Sequence, residues 1–398
     1  MRRILIIWLT SIVACLLVSP AAISNCTLPT YSGSMVAKRF NHAQNILLPI
    51  NTNRNILPTL SVASTLHVDR YDGEGYSTIQ DAIDNANDGD TIFVHNGIYR
   101  ENIKIYKSIK LIGENRDLVI IDGGKQTDAI LITSDNVTVE NFTIKNSGNF
   151  DAGIKINSDS NCIRNCRIIE CWDGIELNSA DYNKIQECEI YNNLKEGVYL
   201  SYADSNSIID CDLPNNLESI WLDSSNYNII KNCIVQSNAE EGVQIKASSY
   251  NRFISCKILS NIFGYGVFIE HESSDNLISK CKISYNGVGV FFSTSENRAP
   301  SNNTIVYSDI VNNSGTGIFF IGNGSLIKNT HIHFNNIYGN KKGMVSLNSP
   351  GCIVYAQNNW WGSKLGPSIF RVGFGDTIMW SLTNGRIYFY PWLKKPVE

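Results

Sequence analysis

The sequence contains little charge, little methionine and little histidine. Only 18% of its 398 residues are charged, and the net charge is −4. A nucleic-acid partner usually requires a basic surface, so this composition argues against one. The chain has 4 Met and 6 His, which leaves few side chains that could bind a transition metal. A nucleophile elbow, a phosphate-binding glycine loop and a Cys-x-x-Cys pair are all missing, which removes the usual signals of three enzyme classes.

Long apolar runs are also missing after the first residues. Arg2 and Arg3 precede an apolar run at 4–18, and the small residues Ala21, Ala22 and Ser24 follow. This pattern is typical of a secretory signal peptide over 1–24, with an uncleaved anchor as the alternative. We therefore expect an extracytoplasmic protein (secreted, periplasmic or on the cell surface) with no membrane span beyond the N-terminal segment. Residues 25–63 show no period and predict a linker or poorly ordered arm.

A sequence repeat occurs about seven times between Asn161 and Asn313. It reads Asn-x-Ile-x-x-Cys-x-Ile-x-x-Asn, then Gly-Ile/Val-x-Leu, then a polar turn. The units are 22 or 23 residues long in the middle and reach 25 and 27 at the end. Four columns recur at fixed places in the unit. The opening asparagines are Asn161, Asn183, Asn206, Asn228, Asn251, Asn276 and Asn303; the cysteines are Cys166, Cys188, Cys211, Cys233, Cys256 and Cys281; the second asparagines are Asn193, Asn216, Asn238, Asn261, Asn286 and Asn313; the glycines are Gly174, Gly197, Gly242, Gly266, Gly289 and Gly317.

This period predicts a parallel β-solenoid. Apolar residues alternate within each unit, and Asn, Gly and Ser separate the short runs, so each unit predicts short strands. When units stack, each column becomes a ladder with steps of ~4.8 Å. Isoleucine and a reduced cysteine column would then fill the interior. Asparagine amides would bond along their ladder, and asparagine and glycine would occupy bends that need positive φ or close approach.

Both ends of the solenoid predict caps. Ser77 is a suitable N-cap for a helix over about 78–87. The apolar face of this helix would be Ile79, Ala82, Ile83 and Ala86. We place the β-helix at 64–358 and an aromatic C-terminal cap at 359–398. The aromatic residues of that cap are Trp380, Tyr388, Phe389, Tyr390 and Trp392.

From Ser64 onward the chain resembles the NosD-like right-handed parallel β-helix proteins of the carbohydrate-binding and sugar-hydrolase superfamily. The resemblance rests on the repeat, on Tyr76-Ser-Thr-Ile-Gln-Asp-Ala-Ile83 and on Asp88-Gly-Asp-Thr-Ile-Phe-Val94. It also rests on Gly97-Ile-Tyr-Arg-Glu-Asn-Ile103 and Asn358-Asn-Trp-Trp-Gly362. It implies an all-β, right-handed parallel β-helix. It also implies three functions, since this fold carries unrelated activities: carbohydrate binding, polysaccharide modification, or a copper-binding accessory role.

An acidic ladder precedes the glycine column. Carboxylates stacked at ~4.8 Å repel one another, which would raise their pKa values or recruit cations, calcium among them. We take these residues as candidates for catalysis or cation binding, with a solvated turn of splayed side chains as the alternative. The ladder is Asp173, Glu196, Glu218 and Glu241.

An outward column follows two residues after the glycines. Flat aromatic rings along a sheet could stack on sugar rings, so this column is the candidate ligand-binding face; cover by a loop or by the aromatic tail is the alternative. The column is Glu176, Tyr199, Trp221, Gln244 and Phe268, continued by Phe291 and Phe319. A hydrolase or lyase would need precisely placed acids. The Gly-His-Asp cluster typical of such β-helix enzymes is missing.

His331 and His333 are the candidate metal ligands. If Thr330 and Ile332 face inward, both imidazoles face outward on one strand and could share a copper ion. Surface histidines without a metal are the alternative. The sequence thus favours an exported protein whose sheet face binds a polysaccharide or other glycan. A polysaccharide hydrolase, lyase or epimerase is the first alternative, and a copper-binding accessory protein is the second.

Overall fold

The computed structural model describes residues 63–71, 75–294, 298–322, 327–347, 352–380 and 385–398. The predicted signal peptide and nearly all of the predicted arm lie outside these residues. No helix in the described ranges is long and apolar enough to cross a membrane.

Three parallel sheets run along the solenoid. Sheet 1 has 14 strands: β1 (Thr65–Val68), β2 (Thr91–Val94), β5 (Lys110–Gly113), β8 (Thr138–Glu140), β11 (Cys162–Arg164), β14 (Lys184–Gln186), β17 (Ser207–Ile209), β20 (Ile229–Lys231), β23 (Arg252–Ile254), β26 (Leu277–Ser279), β29 (Thr304–Val306), β32 (Thr330–His333), β35 (Cys352–Tyr355) and β38 (Gly385–Tyr388).

Sheet 2 has 11 strands: β3 (Gly97–Tyr99), β6 (Val119–Asp122), β9 (Thr143–Lys145), β12 (Arg167–Ile169), β15 (Glu189–Tyr191), β18 (Asp212–Pro214), β21 (Ile234–Gln236), β24 (Lys257–Leu259), β27 (Lys282–Ser284), β30 (Asp309–Val311) and β33 (Asn336–Tyr338).

Sheet 3 has 13 strands: β4 (Ile103–Ile105), β7 (Ile130–Ile132), β10 (Ala152–Ile156), β13 (Asp173–Asn178), β16 (Glu196–Ser201), β19 (Glu218–Asp223), β22 (Val243–Lys246), β25 (Tyr265–Glu270), β28 (Val288–Ser293), β31 (Thr316–Ile321), β34 (Lys342–Leu347), β36 (Pro367–Ile369) and β37 (Gly375–Trp380).

Each regular coil passes through sheets 1, 2 and 3 in turn and then climbs one step. Neighbouring coils pair in parallel and in register, so that Ile163 lies opposite Ile185 and Ile185 opposite Ile208. Parallel strands joined by such crossovers are right-handed in nearly all proteins. The parallel β-solenoid predicted from the period is confirmed, the right-handed β-helix implied by the resemblance is consistent with it, and each sequence column is a ladder in space.

The interior is filled by the apolar columns. The isoleucines at 163, 168 and 175 are fully buried, and so is Cys166. The cysteine column consists of free thiols that donate to backbone carbonyls; Cys188 Sγ lies 3.2 Å from the oxygen of Gln186 and 3.7 Å from that of Ile163. The column is therefore a reduced, apolar filler, as predicted.

Both asparagine columns are hydrogen-bonded ladders. Asn261 Oδ1 accepts from the backbone N and from Nδ2 of Asn238 in the preceding coil, both at 3.0 Å. Asn261 in turn donates both groups to Asn286 Oδ1. The second ladder continues to Asn340, whose two donors meet Asp376 Oδ2 at 3.0 Å. Buried amides thus satisfy the backbone where the chain turns.

The cysteine column changes to polar residues near the C-terminus. Cys281 N donates to Ser308 Oγ, Ser308 N to Asn335 Oδ1, and Asn335 N to Asn359 Oδ1. Asn359 is the second residue of the Asn358-Asn-Trp-Trp-Gly motif, and Trp361 of the same motif is 0% exposed. The motif therefore ends this ladder and plugs the interior.

The bends differ from the sequence-based expectation. Positive φ falls on the residue before each ladder position, such as Asn192 (57°), Asn215 (58°) and Ser237 (57°), and not on the ladder asparagines. The glycine column does not adopt positive φ either. It allows close approach, because a Cβ on Gly197 would meet the Ser219 carbonyl oxygen at 2.7 Å.

The N-terminal cap is a short helix, α1 (Ile79–Asn85), which packs on β1, β2 and β4 through the predicted apolar face. Its N-cap is Thr78, which accepts from Asp81 N at 3.1 Å, so the prediction of Ser77 was wrong by one residue. Glu101 accepts from the backbone N of Ile79 and of Gln80, each at 3.0 Å. A carboxylate here satisfies orphan N–H groups of the first turn.

The C-terminal region adds strands as well as a cover. β37 pairs with β34 and β38 with β35, so sheets 1 and 3 continue past residue 358. Trp380, Phe389 and Trp392 pack against the core. These aromatic residues close the last coil, as expected of the C-terminal cap. The domain boundary at 358/359 stays a prediction.

Candidate functional site

The outer face of sheet 3 carries the predicted ligand-binding column. Glu176 lies opposite Tyr199, Tyr199 opposite Trp221, and Trp221 opposite Gln244. The column continues through Phe268, Phe291 and Phe319. Because the strands are in register, all these residues align along the solenoid axis. Their role in ligand binding stays a prediction.

Two polar members of the column are already engaged. Glu176 Oε2 lies 2.9 Å from Lys155 Nζ, and Gln244 Nε2 donates to Glu270 Oε1 at 2.8 Å. Beyond Gln244, the rings of Phe268, Phe291 and Phe319 stack at 5.1 and 5.4 Å between centroids. Phe291 is buried in this stack. Phe291 is thereby covered by its two neighbours, whereas Phe268, Phe319, Tyr199 and Trp221 are all half-buried.

Tyr199 and Trp221 form the centre of the Glu176–Gln244 stretch. Their ring centroids are 5.0 Å apart, with 36° between the planes. Lys195 Nζ lies 5.1 Å from the Trp221 ring centroid and Lys246 Nζ 5.6 Å from it. Trp221 Nε1 is buried and has no hydrogen-bond partner among the described residues. An aromatic pair held between two cations offers an apolar surface with polar rims, suited to a sugar ring.

The acidic ladder runs beside this aromatic pair. Glu196 is 0% exposed and Asp173 is also buried, which is contrary to a solvated turn of splayed side chains. Lys195 Nζ lies 2.8 Å from Glu196 Oε1 and forms an ion pair with it. Burial and the neighbouring Glu196 carboxylate raise the pKa of Asp173 to about 8. The sequence could not show this burial, because acids at turns are usually solvated.

Glu218 and Glu241 continue the ladder. Burial, together with the charges of Glu241 and Glu196, raises the pKa of Glu218 to about 8. Burial and the charge of Glu240 raise the pKa of Glu241. Carboxylate oxygens of Glu218, Glu240 and Glu241 lie within 4.8 Å of one another. Such groups suit either an oxygen-seeking cation or protonated carboxyls that donate hydrogen bonds; calcium binding stays a prediction.

The raised pKa of Glu218 predicts a pH-dependent stability. Its pKa is 4.5 in the unfolded chain and about 8 in the folded one, so folding retains a proton between these values. The stability that Glu218 contributes while it keeps its proton is fully present below pH 4.5 and is lost as the pH rises through about 8. We expect the melting temperature of Glu218→Gln to fall less than that of the wild type between pH 4.5 and about 8. Glu272→Gln, at an exposed position, is the control. Equal profiles of melting temperature against pH for the wild type and Glu218→Gln would contradict the prediction.

A groove that the sequence analysis missed adjoins the acids at the corner between sheets 2 and 3. It encloses about 390 Å³ and is lined by Trp172, Leu194, Lys125 and neighbouring turn residues. Phe150 packs on Trp172 at 4.4 Å between centroids; Phe150 is 76% and Leu194 66% exposed. These residues precede the glycine column in successive coils. Because the residue type at this position differs from coil to coil, no repeated column in the sequence indicates the groove.

His331 and His333 lie on the outer face of β32, while Thr330 and Ile332 are fully buried, as expected. Their ring centroids are 5.7 Å apart and tilted by 45°. His333 Nδ1 lies 2.9 Å from the Gln357 oxygen, and the His331 ring stacks on Tyr355 at 5.0 Å. Burial and His333 lower the pKa of His331, which keeps it neutral. Within the described ranges the pair offers copper two nitrogens and no third His, Cys or carboxylate ligand, and copper binding here stays a prediction.

The fold and this face define a parallel β-helix repeat protein with an aromatic and acidic sheet surface. Residues 83–264 match the family described as periplasmic copper-binding protein (NosD), and residues 202–360 match the right-handed beta helix region. The predicted resemblance is confirmed: the chain is a parallel β-helix repeat protein with sequence similarity to NosD. No curated protein matches the sequence.

Solved structures show the same fold. The A-module of mannuronan C-5 epimerase AlgE6 from Azotobacter vinelandii superposes with a TM-score of 0.59 at 13% identity, covering 79% of this chain and 94% of that one. The catalytic domain of a GH87 alpha-1,3-glucanase gives a TM-score of 0.61 at 12% identity, covering 82% and 68%. At such identities the likeness establishes the fold alone.

Proposed function

We propose that this protein is exported and binds a polysaccharide along the outer face of sheet 3, centred on Tyr199 and Trp221. The observation that carries the proposal is the aromatic pair, flanked by Lys195 and Lys246 and bordered by two buried and two half-buried carboxyls. A sugar ring presents C–H groups to an aromatic face and hydroxyls to the rim. The pair supplies the first contact and the neighbouring polar groups the second.

The solenoid makes this face suitable for a long ligand. Coils repeat at ~4.8 Å, so a chain lying along the axis meets equivalent positions on successive coils. Glu176 precedes Tyr199 in this column, and Gln244 and three phenylalanines follow Trp221. The structural neighbours include an epimerase and a glucanase, both named for polysaccharides, which supports a polysaccharide over a small sugar. The signal-like N-terminus and the periplasmic description of NosD support export.

Polysaccharide modification is the second candidate, favoured by the raised pKa values of Asp173 and Glu218. A carboxyl that keeps its proton near neutral pH can act as a general acid towards a glycosidic oxygen. Glu196 and Glu241 would then be the remaining candidates for a base. An enzyme predicts cleaved or epimerised products that disappear in Glu218→Gln. Binding alone predicts none.

A copper-binding accessory role is the third candidate, since residues 83–264 match NosD. His331 and His333 would be its ligands. Copper uptake that is unchanged in His331→Ala and His333→Ala would exclude this pair as the site.

The test is a pull-down of the full chain on a panel of insoluble and immobilised polysaccharides, with the products analysed by mass spectrometry. Retention on one class without new products supports binding. New reducing ends, unsaturated ends or changed uronate stereochemistry support an enzyme. Absence of both on every polysaccharide would overturn the proposal.

A further inference from the structure

A second cluster of polar side chains lies on sheet 1 near the N-terminal cap, away from the sheet-3 face. His67 Nδ1 and His95 Nε2 are 3.2 Å apart. The ring centroids are 5.4 Å apart with 22° between the planes, so the two rings meet edge to edge with these nitrogens facing each other. Two imidazoles in this position must share a proton or a cation, because two bare lone pairs would repel.

The spacing suits a metal ion. Zn–N bonds are about 2.0–2.1 Å long, so two nitrogens on one tetrahedral ion are about 3.3 Å apart. The 3.2 Å between His67 Nδ1 and His95 Nε2 is close to that bite. An ion binds the neutral pair when the His67 proton is on Nε2 and the His95 proton is on Nδ1, and the His67 ring lies on the exposed side of the sheet. No proton is lost from the pair, and both facing nitrogens become ligands.

A carboxylate supports the second histidine. Glu114 Oε2 lies 3.5 Å from His95 Nδ1, and the same oxygen accepts from Asn96 N at 3.0 Å. A carboxylate on the far nitrogen of a ligating histidine fixes the tautomer that leaves Nε2 free to bind and raises its basicity. Glu114 therefore occupies the position that an outer partner of a metal ligand takes.

The scaffold holds both rings in place. β1 and β2 pair in register, with His67 opposite Phe93, and His95 N donates to the Val68 oxygen at 2.9 Å. Phe93 contacts both histidine rings. The pair opens on a groove of about 570 Å³ that is also lined by Asp69 and Tyr76. Water or an additional oxygen ligand can reach the ion from this groove.

We propose that His67 and His95 form a binding site for a divalent first-row transition ion, with Glu114 orienting His95. Imidazole nitrogen selects borderline ions such as Cu²⁺ and Zn²⁺ over Ca²⁺ or Mg²⁺. Among these, Cu²⁺ binds most tightly to a given nitrogen site. The facing nitrogens and the carboxylate distinguish this site from His331 and His333, whose rings are tilted by 45° and which have neighbours of other kinds.

The experiment is calorimetric titration of the metal-free full chain with Cu²⁺ alone and with Zn²⁺ alone, together with electron paramagnetic resonance of the Cu²⁺ form. We expect one site of this kind, tighter for Cu²⁺, with nitrogen hyperfine splitting from two imidazoles. His67→Ala and His95→Ala should each weaken binding at least tenfold and remove one of the two nitrogens from the spectrum. Glu114→Gln should weaken it about tenfold or more with both nitrogens retained.

The matched control is the double variant His331→Ala with His333→Ala, which should keep the site. Affinity and spectrum that are unchanged in His67→Ala and His95→Ala would overturn the proposal, as would a wild type that binds neither ion. The His67 and His95 variants remain informative because a melting curve in the absence of metal reports their folding. Glycan retention tests the opposite face, so failure of one proposal leaves the other distinguishable.

Discussion

Replacing Asn261 by alanine is expected to lower the free energy of unfolding by about 3 kcal/mol or more. Asn261 is fully buried, and its Oδ1 accepts both donors of Asn238. Alanine leaves those two donors without a partner inside the solenoid, and it also removes the side-chain bond to Asn286. Each stranded buried donor costs about 1–3 kcal/mol. Urea unfolding followed by circular dichroism measures the change.

Asn178→Ala is the matched control. Asn178 is an exposed asparagine at the end of β13, outside both ladders. Its replacement should change the free energy of unfolding by no more than about 0.5 kcal/mol. Equal losses at positions 178 and 261 would show that the ladder contributes nothing beyond the residue's own propensity.

Trp221→Ala is expected to weaken polysaccharide binding tenfold or more. The indole provides the largest apolar surface of the Glu176–Gln244 stretch, and Lys195 and Lys246 both lie over its ring. Removal of a central aromatic anchor commonly costs about 2 kcal/mol, and tenfold corresponds to about 1.4 kcal/mol. Affinity electrophoresis or calorimetry with the polysaccharide found in the pull-down measures the loss.

Tyr355→Ala controls for the removal of a stacked aromatic elsewhere. Tyr355 lies on sheet 1, stacked on His331 and on Tyr388, so its loss should leave glycan affinity unchanged. If Trp221→Ala retains wild-type affinity while Tyr355→Ala loses it, the binding face lies on sheet 1 and our assignment is wrong.

The sequence predicted the fold because in-register stacking forces equal residues onto equal positions. An isoleucine column or an asparagine column is visible without coordinates, and the structure confirms both. Positive φ was assigned to the wrong residue because the left-handed positions have no fixed residue type; Ser160, Tyr182 and Asp210 all adopt it. The N-cap was predicted at Ser77 instead of Thr78 because both residues carry a hydroxyl group and the sequence does not distinguish between them.

The site was less predictable than the fold. The columns placed Tyr199, Trp221 and the four acids on neighbouring positions, but burial of Glu196 depends on how the turns around it pack. The repeat pattern does not predict the pairing of His67 with His95, because both residues lie in the first, irregular coils, where the columns are not yet established. Residues 28 apart become neighbours there only through the pairing of β1 with β2.

The second asparagine ladder ends on an aspartate, Asp376, which determines whether the last step of the ladder carries a donor or an acceptor. Each asparagine of the row donates its backbone N–H to the next side chain, so an asparagine side chain at the last step would bring an Nδ2 group that needs an acceptor. Asp376 accepts both donors of Asn340 through one oxygen; its backbone N–H donates to the Trp361 oxygen, and its carboxylate carries no donor. Where asparagine has an amide nitrogen, aspartate has a second oxygen. This exchange removes the side-chain donor that would otherwise need an acceptor from another coil. This row of hydrogen bonds therefore ends on an acceptor.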